Sequence, residues 1–205
     1  MQDDARARAL ELGSSTLYEA GGGSGAMEPA IRPVWKGATL CGPAYPVLCH
    51  PGDNFAIHRA LELCEPGDVL VVSAHGEDSG YFGEVLATAS EARGVAGAVV
   101  DGGVRDIQAL EKCGFPVFAR HISMRRTVKH EPGLIGRPVV VGGVLVSRES
   151  VIIADADGVL VVDAGRLTEI LARSEERSAR EVEIMRRLKL GELTLDLLGL
   201  REQPH

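Results

Sequence analysis

Apolar residues recur along the chain at two spacings, and each spacing predicts a different kind of element. Spacings of three and four residues predict helices over the first 20 residues with a break at Gly13-Ser14-Ser15, from Asp53 or Asn54 through Cys64, from Tyr81 to Arg93, from about Asp106 to Cys113, and from about Arg166 to Lys189. Continuous apolar runs predict buried strands at residues 69–73, 97–103 and 115–118. The strand–helix–strand order over residues 69–118 predicts right-handed crossovers and a mainly parallel sheet.

The chain changes character after residue 118. Residues 137–163 hold three short apolar runs with tight turns between them and no room for helices, which is typical of antiparallel strands. Residues 38–54 alternate and contain three prolines, which predicts short strands and turns. We therefore predict one α/β domain over residues 1–205, with a mixed sheet of parallel strand–helix–strand units plus an antiparallel β layer. N-terminal helices (about 1–20) and a C-terminal helical extension (about 166–200) complete the prediction.

Composition and charge narrow the class of protein. Aromatic residues make up 4% of the chain and 25 residues are glycine, which fits a valine-rich sheet with tight turns. The formal net charge of −7 argues against a nucleic-acid binder, and the basic cluster at residues 125–130 is interpreted as a solvated loop. No apolar run approaches the ~20 residues of a spanning helix, and the charged N-terminus is unlike a signal peptide. We therefore expect a cytoplasmic protein without membrane contact.

Two strand–helix junctions, at residues 67–87 and 97–110, combine a buried strand, a glycine-rich loop and a charged helix start. In α/β folds ligands bind outside the carboxyl ends of such strands, and the amides of a helix N-terminus favour an anion. Among the charged residues at these junctions, we expect Glu84, Asp101, Arg105 and Asp106 to lie in such a crevice. A guanidinium can bind a substrate carboxylate with two hydrogen bonds, and an aspartate offers hard oxygens to a divalent metal. The alternative is a simple helix cap at Asp106 beside a surface arginine. Asp101, at the end of a strand, has two equally weighted interpretations, a structural role or a functional one in which it orients Arg105.

The run GEVLATASEARGVAGAVVDGGVRD (residues 83–106) resembles the RraA-like family, which includes 4-hydroxy-4-methyl-2-oxoglutarate and 4-carboxy-4-hydroxy-2-oxoadipate aldolases. Members of that family carry an acidic residue, twenty spacer residues and then Arg-Asp. Here Glu84, the spacer from Val85 to Val104, and Arg105-Asp106 meet that spacing. Similar segments extend over nearly the whole chain, including PGDNFAIHRALELCEPGDVLVV, FPVFAR, TVKHEPG, PVVVGGVLV and VIIADADGVLVV.

The resemblance implies a compact β/β/α fold similar to phosphohistidine swivelling domains, assembled into homotrimers or hexamers with sites between subunits. It also implies Mg²⁺ or Mn²⁺, with Asp106 as the direct protein ligand and Glu84 acting through a bound water. An acidic residue from a neighbouring subunit is expected to act through water as well, and its position in the last long helix favours Glu181, with Glu183 as the alternative. Sparse protein ligation of this kind suits Mg²⁺, which dehydrates reluctantly.

For the substrate, the resemblance implies a small 2-oxo acid held by Arg105 and by backbone amides near Gly83, Val85 and Leu86. The implied activity is a carbon–carbon lyase acting through a pyruvate enolate, as a class II (metal-dependent) 4-hydroxy-4-methyl-2-oxoglutarate aldolase, an oxaloacetate decarboxylase, or both. No Schiff-base lysine is expected, because neither junction contains a lysine.

Two other functions are weighed against this one. The first is a protein-binding regulator of ribonuclease E activity without catalysis, like RraA itself. That regulator lacks the aspartate of the Arg-Asp pair, whereas this chain keeps Asp106 and Glu84, which favours an enzyme. The second is a methyltransferase, which ranks last because the chain has no clear glycine-rich loop for S-adenosylmethionine followed by a ribose-binding acid.

Several other polar residues have plain structural interpretations. The loop residues His75, Glu77 and Asp78 could bind metal or tune specificity, but a solvated loop is favoured. His58 is interpreted as a packed helix residue, and residues 155–157 as a hairpin turn. Apolar surroundings and the lack of CxxC spacing predict buried, reduced thiols at four positions, Cys41, Cys49, Cys64 and Cys113.

Overall fold

The structure, a computed structural model, describes residues 3–202. The helices are α1 (Asp3–Leu12), α2 (Ser14–Ala20), α3 (Phe55–Leu63), α4 (Glu84–Ala92), α5 (Ile107–Cys113), α6 (Leu167–Lys189) and α7 (Thr194–Leu197). The strands are β1 (Arg32–Pro33), β2 (Leu40–Leu48), β3 (Val69–Ser73), β4 (Gly80–Phe82), β5 (Gly97–Val104), β6 (Val117–Ile122), β7 (Leu134–Ile135), β8 (Val139–Val141), β9 (Val144–Val146), β10 (Ser150–Asp155) and β11 (Gly158–Asp163).

The main sheet has nine strands and confirms the predicted mixed α/β class. Seven strands follow the order β1-β6-β5-β3-β2-β10-β11, while β4 pairs with β5 and β7 pairs with β2. The central strands β2, β3, β5 and β6 are parallel, and β10 and β11 run antiparallel at one edge. Both β3 and β5 are buried along their whole length, because alternate side chains of each strand enter two different hydrophobic cores.

Strand β2 is one nine-residue strand, so the prediction of short strands and turns was wrong there. Residues 40–43 pair with β10, and residues 44–48 pair with β3. Pro43 and Pro46 each lie where the strand is paired on one side only. A proline has no backbone N–H to donate, and it is tolerated in a strand at positions where one side of the strand is unpaired.

The antiparallel region contains four strands where three were predicted. Strands β10 and β11 extend the main sheet through β2, whereas β8 and β9 form a separate two-stranded sheet. The turn between β8 and β9 is Gly142-Gly143, and both glycines have a positive φ, of 53° and 77°. Such a two-residue turn closes a tight hairpin, so the apolar run that looked like one strand folds back on itself.

The helix predicted from Tyr81 begins three residues later, at Glu84. Tyr81 and Phe82 belong to β4, which pairs in parallel with β5, and both side chains are fully buried. The long C-terminal helix α6 was predicted to within one residue, and it buries only side chains of its first third, against α1, α2 and the β10–β11 hairpin.

Three of the four cysteines are buried and free, as predicted. Burial raises the pKa of Cys41 to about 11, and it raises the pKa of Cys49 and of Cys64 to about 12. The prediction was wrong for Cys113, which is exposed at the end of α5. Within residues 3–202, no helix combines the length and the hydropathy needed to cross a membrane.

Candidate active site

A cleft of about 170 Å³ opens where β4 and β5 end, and both predicted junctions contribute to it. Gly83, Val85 and Leu86 line it from the start of α4, and Arg105 and Asp106 line it from the turn between β5 and α5. Another cleft, of about 210 Å³, lies between α2 and the β10–β11 turn. The arrangement of charges, rather than the volume, marks the first cleft as the candidate site.

Asp106 does not cap its own helix, so the simple capping interpretation was wrong. Its side chain makes no hydrogen bond to α5, and its Oδ2 instead accepts a hydrogen bond of 3.1 Å from the backbone N–H of Glu84. Its backbone is left-handed, with φ 60° and ψ 37°. A non-glycine residue in that region carries strain of a kind that clusters at functional sites. Among the described residues, Oδ1 has no hydrogen-bond donor, which leaves that oxygen available to a ligand.

Gly83 leaves the space into which the Asp106 carboxylate fits. A Cβ atom at residue 83 would lie 2.4 Å from Oδ2 of Asp106 and 3.0 Å from Cγ of Arg105. The backbone of Gly83 is extended, with φ −170°, so glycine is required here for space and not for conformation.

Arg105 lies beside Asp106 but is not held tightly by it. Its Nε is 3.6 Å from Oδ2 of Asp106, which is longer than a hydrogen bond, and the side chain is 46% exposed. The backbone N–H of Arg105 donates to the carbonyl oxygen of Phe82, so the main chain is fixed while the guanidinium keeps its donors for a ligand.

Asp101 does not orient Arg105, so of its two interpretations from sequence the structural one agrees with its contacts. Its Oδ1 accepts a 2.5 Å hydrogen bond from Nε of Arg120, and its Oδ2 accepts one of 2.8 Å from the N–H of Gly142. The hydrogen bond to Asp101 raises the pKa of Arg120, which also contacts Glu28 at 2.7 Å. Asp101 therefore ties β5 to β6 and to the β8–β9 hairpin.

The start of α4 presents the other predicted groups. The side chain of Glu84 is exposed and has no cationic partner among residues 3–202. The N–H groups of Val85 and Leu86 lie in the first turn, where a helix provides no acceptor of its own. A carboxylate placed there would receive hydrogen bonds and the favourable end of the helix dipole.

Asn54 and His58 also line the cleft, and neither was predicted from sequence as a site residue. Nδ2 of Asn54 donates to the carbonyl oxygen of Tyr81 at 2.9 Å, while its Oδ1 is buried without a partner among the described residues. Nε2 of His58 is likewise buried and unpaired, and burial, followed by the charge of Lys129, lowers the pKa of His58. Asn54 and His58 are four residues apart at the start of α3, a spacing that places both on one helical face.

The interpretation of residues 125–130 as a solvated loop holds for Arg125 and is incomplete for Lys129. Arg125 is exposed and pairs with Asp78 at 2.7 Å. Lys129 reaches the cleft that Arg105 and Asp106 line. The site therefore has a lysine, although neither strand–helix junction contains one.

The loop at residues 75–78 contributes nothing to the walls of this cleft. Asp78 pairs with Arg125, and Nε2 of His121 lies 3.2 Å from the carbonyl oxygen of Gly76. His75 adopts a left-handed backbone with φ 55°. The favoured interpretation as a surface loop is consistent with these contacts.

Glu181 and Glu183 both lie on α6. Each is in an ion pair within the chain, Glu181 with Arg177 at 2.8 Å and Glu183 with Arg186 at 2.8 Å. The suggested part of either residue in a neighbouring subunit's site stays a prediction.

The donor set suits a hard divalent cation with few protein ligands. Nowhere in residues 3–202 do three or more His, Cys, Asp or Glu side chains converge as a metal cage. A single carboxylate oxygen, at Asp106, faces a cleft large enough for several waters. Mg²⁺ and Mn²⁺ accept such sites, since they retain much of their hydration shell.

Comparison with known proteins places this site in a family. The sequence pattern of the RraA-like family, described as Aldolase/RraA, matches residues 4–161. A relative from Halalkalibacterium halodurans, provisionally named 4-hydroxy-4-methyl-2-oxoglutarate aldolase, is 34% identical over 150 residues, which are 73% of this chain and 71% of the relative.

Solved structures agree with the sequence comparison. An uncharacterized protein from Pseudomonas syringae pv. tomato has the same fold, with a TM-score of 0.87 at 22% identity over 98% of this chain and 95% of that one. RraAS2 of Streptomyces coelicolor, described as an unusual member of the RNase ES inhibitor RraA family, gives a TM-score of 0.79 at 28% identity. That match covers 90% of this chain and 98% of RraAS2. The chain belongs to the RraA-like family.

Proposed function

We propose that the chain is a divalent-metal-dependent lyase that cleaves 4-hydroxy-4-methyl-2-oxoglutarate through a pyruvate enolate and also decarboxylates oxaloacetate. The observation that carries this proposal is the position of Asp106. Its carboxylate reaches away from its own helix, keeps one oxygen free and lies beside the guanidinium of Arg105 in one cleft. The provisional aldolase name of the Halalkalibacterium halodurans relative supports the choice of substrate.

Asp106 would hold Mg²⁺ or Mn²⁺ directly, and Glu84 would act through a bound water. We propose Glu181 of a neighbouring subunit as a further acidic group acting through water. When bound, the ion supplies Lewis acidity at the 2-oxo group of the substrate. Gly83 has a separate role, because its missing side chain lets the Asp106 carboxylate sit against the start of α4.

Arg105 binds the carboxylate next to the 2-oxo group. A guanidinium forms charge-assisted hydrogen bonds to a carboxylate, and it also stabilises the negative charge that develops as the enolate forms. The first-turn N–H groups of Val85 and Leu86 add donors for the same carboxylate.

Proton transfer completes the reaction. In the aldol cleavage, the 4-hydroxyl loses its proton to a base as the C3–C4 bond breaks, and the electron pair of that bond forms the enolate of pyruvate. A proton then adds to C3 of the enolate and gives the second pyruvate. Glu84, exposed between the lining residues Gly83 and Val85, is the candidate to hold the water that accepts the first proton.

Lys129 supplies the second cation of the cleft. Both proposed substrates are dicarboxylates, so Arg105 at one carboxylate leaves a second carboxylate to be neutralised. A flexible ammonium group can do this as a point charge, without the paired geometry that a guanidinium requires.

We also propose assembly into a homotrimer or hexamer. Large apolar side chains are exposed at Val85, which lines the cleft, and at three positions that precede Lys129 in the chain, Ile122, Met124 and Val128, with exposed fractions of 75%, 68%, 90% and 45%. Apolar surface of this kind next to polar groups commonly marks an interface between proteins. A neighbouring copy seated there would also close the cleft to water.

A second candidate function is a protein-binding regulator of ribonuclease E activity, because RraAS2 is described as a member of an RNase inhibitor family. The two hypotheses differ in what they need from Asp106. An inhibitor that works by surface contact has no use for a strained aspartate with a free carboxylate oxygen, whereas a metal-dependent lyase needs one.

The test is release of pyruvate from 4-hydroxy-4-methyl-2-oxoglutarate and from oxaloacetate, after removal of metal and after addition of Mg²⁺ or Mn²⁺. We expect turnover only with added metal and at least about 10³-fold loss in Asp106→Asn, since the reaction then lacks its electrophile. Asp78→Asn, a nearby exposed carboxylate variant, should keep wild-type activity. Borohydride with pyruvate should leave Lys129 unmodified. Metal-independent turnover, or a folded protein with no turnover on either substrate, would contradict the proposal.

A further inference from the structure

A strap of residues 123–133 connects β6 to β7 and runs beside the cleft. It contains no helix and no strand, only one isolated bridge at Val128, and most of its residues are exposed. Lys129 lies in this strap and lines the cleft. A segment with so few internal hydrogen bonds keeps a fixed position only if other parts of the chain hold it.

Asp53 holds the part of the strap next to Lys129, while the N–H of Gly80, which donates to the carbonyl oxygen of Arg125 at 2.7 Å, holds its beginning. Its carboxylate is almost completely buried, at 2% exposure, and its Oδ2 accepts hydrogen bonds from the N–H groups of His130 at 2.6 Å and Glu131 at 2.9 Å. Its Oδ1 accepts from the N–H of Phe55 at 2.8 Å, which anchors the carboxylate to the start of α3. The two strap amides belong to the two residues that follow Lys129.

Two backbone hydrogen bonds fix the strap on the other side of Lys129. The N–H of Val128 donates to the carbonyl oxygen of Gly52 at 2.9 Å, and the N–H of Asn54 donates to the carbonyl oxygen of Val128 at 3.1 Å. Lys129 is therefore held from both sides by residues 52–54. The adjoining residues Asn54 and His58 line the same cleft, so the anchor of the strap is also part of the wall of the site.

The hydrogen bonds of Asp53 require a side chain in which both oxygens accept, as they do in a carboxylate. Burial disfavours its charge, but the three backbone N–H donors outweigh burial and lower the pKa of Asp53. An asparagine would put an NH₂ group against N–H donors on one side. Both oxygens are already occupied by the chain itself, which excludes a direct role for Asp53 in binding substrate.

We propose that Asp53 is a positioning residue that fixes the strap and thereby holds Lys129 in place for the second carboxylate of the substrate. The part concerning the substrate rests on the proposed function. The part concerning the strap rests on the hydrogen bonds of Asp53 alone and can be tested without activity.

The kinetic test compares Asp53→Asn, Lys129→Met and the double variant in the full-length, metal-loaded protein. We expect each single variant to raise KM for 4-hydroxy-4-methyl-2-oxoglutarate at least about tenfold while kcat stays within about threefold, because substrate binding is what weakens. The KM of the double variant should not exceed that of the more strongly affected single variant, because both changes remove the same function. Exchange of the methyl protons of pyruvate, which has no second carboxylate, should be unchanged in Asp53→Asn. Multiplying effects in the double variant would overturn the inference.

The structural test uses hydrogen exchange and limited trypsin digestion of the protein without substrate. Asp53→Asn should speed exchange of the His130 and Glu131 amides by roughly tenfold or more, since two charge-assisted hydrogen bonds are lost. Trypsin should then cut the strap faster, after its basic residues Arg125, Arg126 and Lys129. The matched control is Asp155→Asn, whose carboxylate also accepts from backbone N–H groups, of Ser14 and Asp157, but outside the cleft.

The outcomes separate this inference from the proposed function. If Asp53→Asn leaves exchange and cleavage at wild-type rates, the inference fails whatever the activity. If the strap is released but the wild-type protein has no lyase activity, the positioning role of Asp53 is supported and the substrate role of Lys129 is refuted. If Asp53→Asn does not fold, hydrogen exchange in the wild-type protein tests the inference instead. Its His130 and Glu131 amides must exchange more slowly than those of Arg126 and Thr127, which make no hydrogen bond among the described residues, and equal rates would overturn the inference.

Discussion

Gly83→Ala perturbs the proposed metal ligand by a single methyl group. The new Cβ would lie 2.4 Å from Oδ2 of Asp106, about 1 Å short of the 3.4 Å at which ordinary contact begins. The extended backbone of residue 83 accepts alanine, and the neighbouring Cγ of Arg105, at 3.0 Å, belongs to a half-exposed side chain that can shift by a few tenths of an ångström. The carboxylate of Asp106 must therefore move by about 1 Å, away from the N–H of Glu84. Misplacement on that scale costs about 10²-fold in rate, or about 2.7 kcal/mol of transition-state stabilisation.

The assay is kcat/KM for pyruvate release at saturating Mg²⁺, together with the free energy of unfolding from urea denaturation. We expect activity to fall about 100-fold while stability changes by less than about 1 kcal/mol, because the displaced side chain is partly exposed. Gly165→Ala is the control, since its nearest contact is the exposed, movable carboxylate of Asp163 at 3.0 Å. Wild-type activity in a folded Gly83→Ala protein would refute the role assigned to Gly83 and to the present position of Asp106.

Two further predictions concern the wall of the cleft formed by β4 and α3. Tyr81→Phe removes the hydroxyl that accepts a 2.6 Å hydrogen bond from the N–H of Gly52. Because that donor is then unsatisfied, the free energy of unfolding should fall by about 1–3 kcal/mol. An unchanged midpoint of urea denaturation would contradict this prediction. Burial and Lys129 lower the pKa of His58 below its ordinary value of about 6.5, so protonation favours the unfolded chain. The free energy of unfolding should therefore be highest above about pH 6.5 and fall as the pH drops below it, and His58→Gln should flatten that slope in denaturation series from pH 5 to 8.

The central parallel sheet could be predicted because its strands are buried on both faces. Strands of this kind appear in the sequence as continuous apolar runs, as at residues 69–73. Strand β4 could not be recognised, because Tyr81 and Phe82 fit the start of a helix equally well and only pairing with the distant β5 makes them a strand. The prolines of β2 were misleading for the same reason, since their tolerance depends on which side of the strand is paired.

Some residues of the candidate site could likewise be predicted from the sequence, and others could not. Glu84, Arg105 and Asp106 lie within two adjacent strand–helix junctions, so their proximity follows from the local order of elements. Lys129 reaches the cleft from a strap without secondary structure, and contacts with distant residues such as Asp53 set the course of that strap. No periodicity in the strap predicts that course. The orientation of Asp106 was also hidden, because its left-handed backbone turns the side chain away from the helix that it would normally cap.

We propose above all that Asp106 is the direct protein ligand of the metal in this cleft, and a titration with Mn²⁺ is the measurement that tests this. Wild-type protein, Asp106→Asn and Asp78→Asn would be titrated after removal of metal, and pyruvate release would be followed in the same samples. We expect stoichiometric Mn²⁺ binding and turnover in the wild-type and Asp78→Asn proteins, and we expect both to be lost in a folded Asp106→Asn protein. Equal Mn²⁺ affinity and turnover in Asp106→Asn would contradict it.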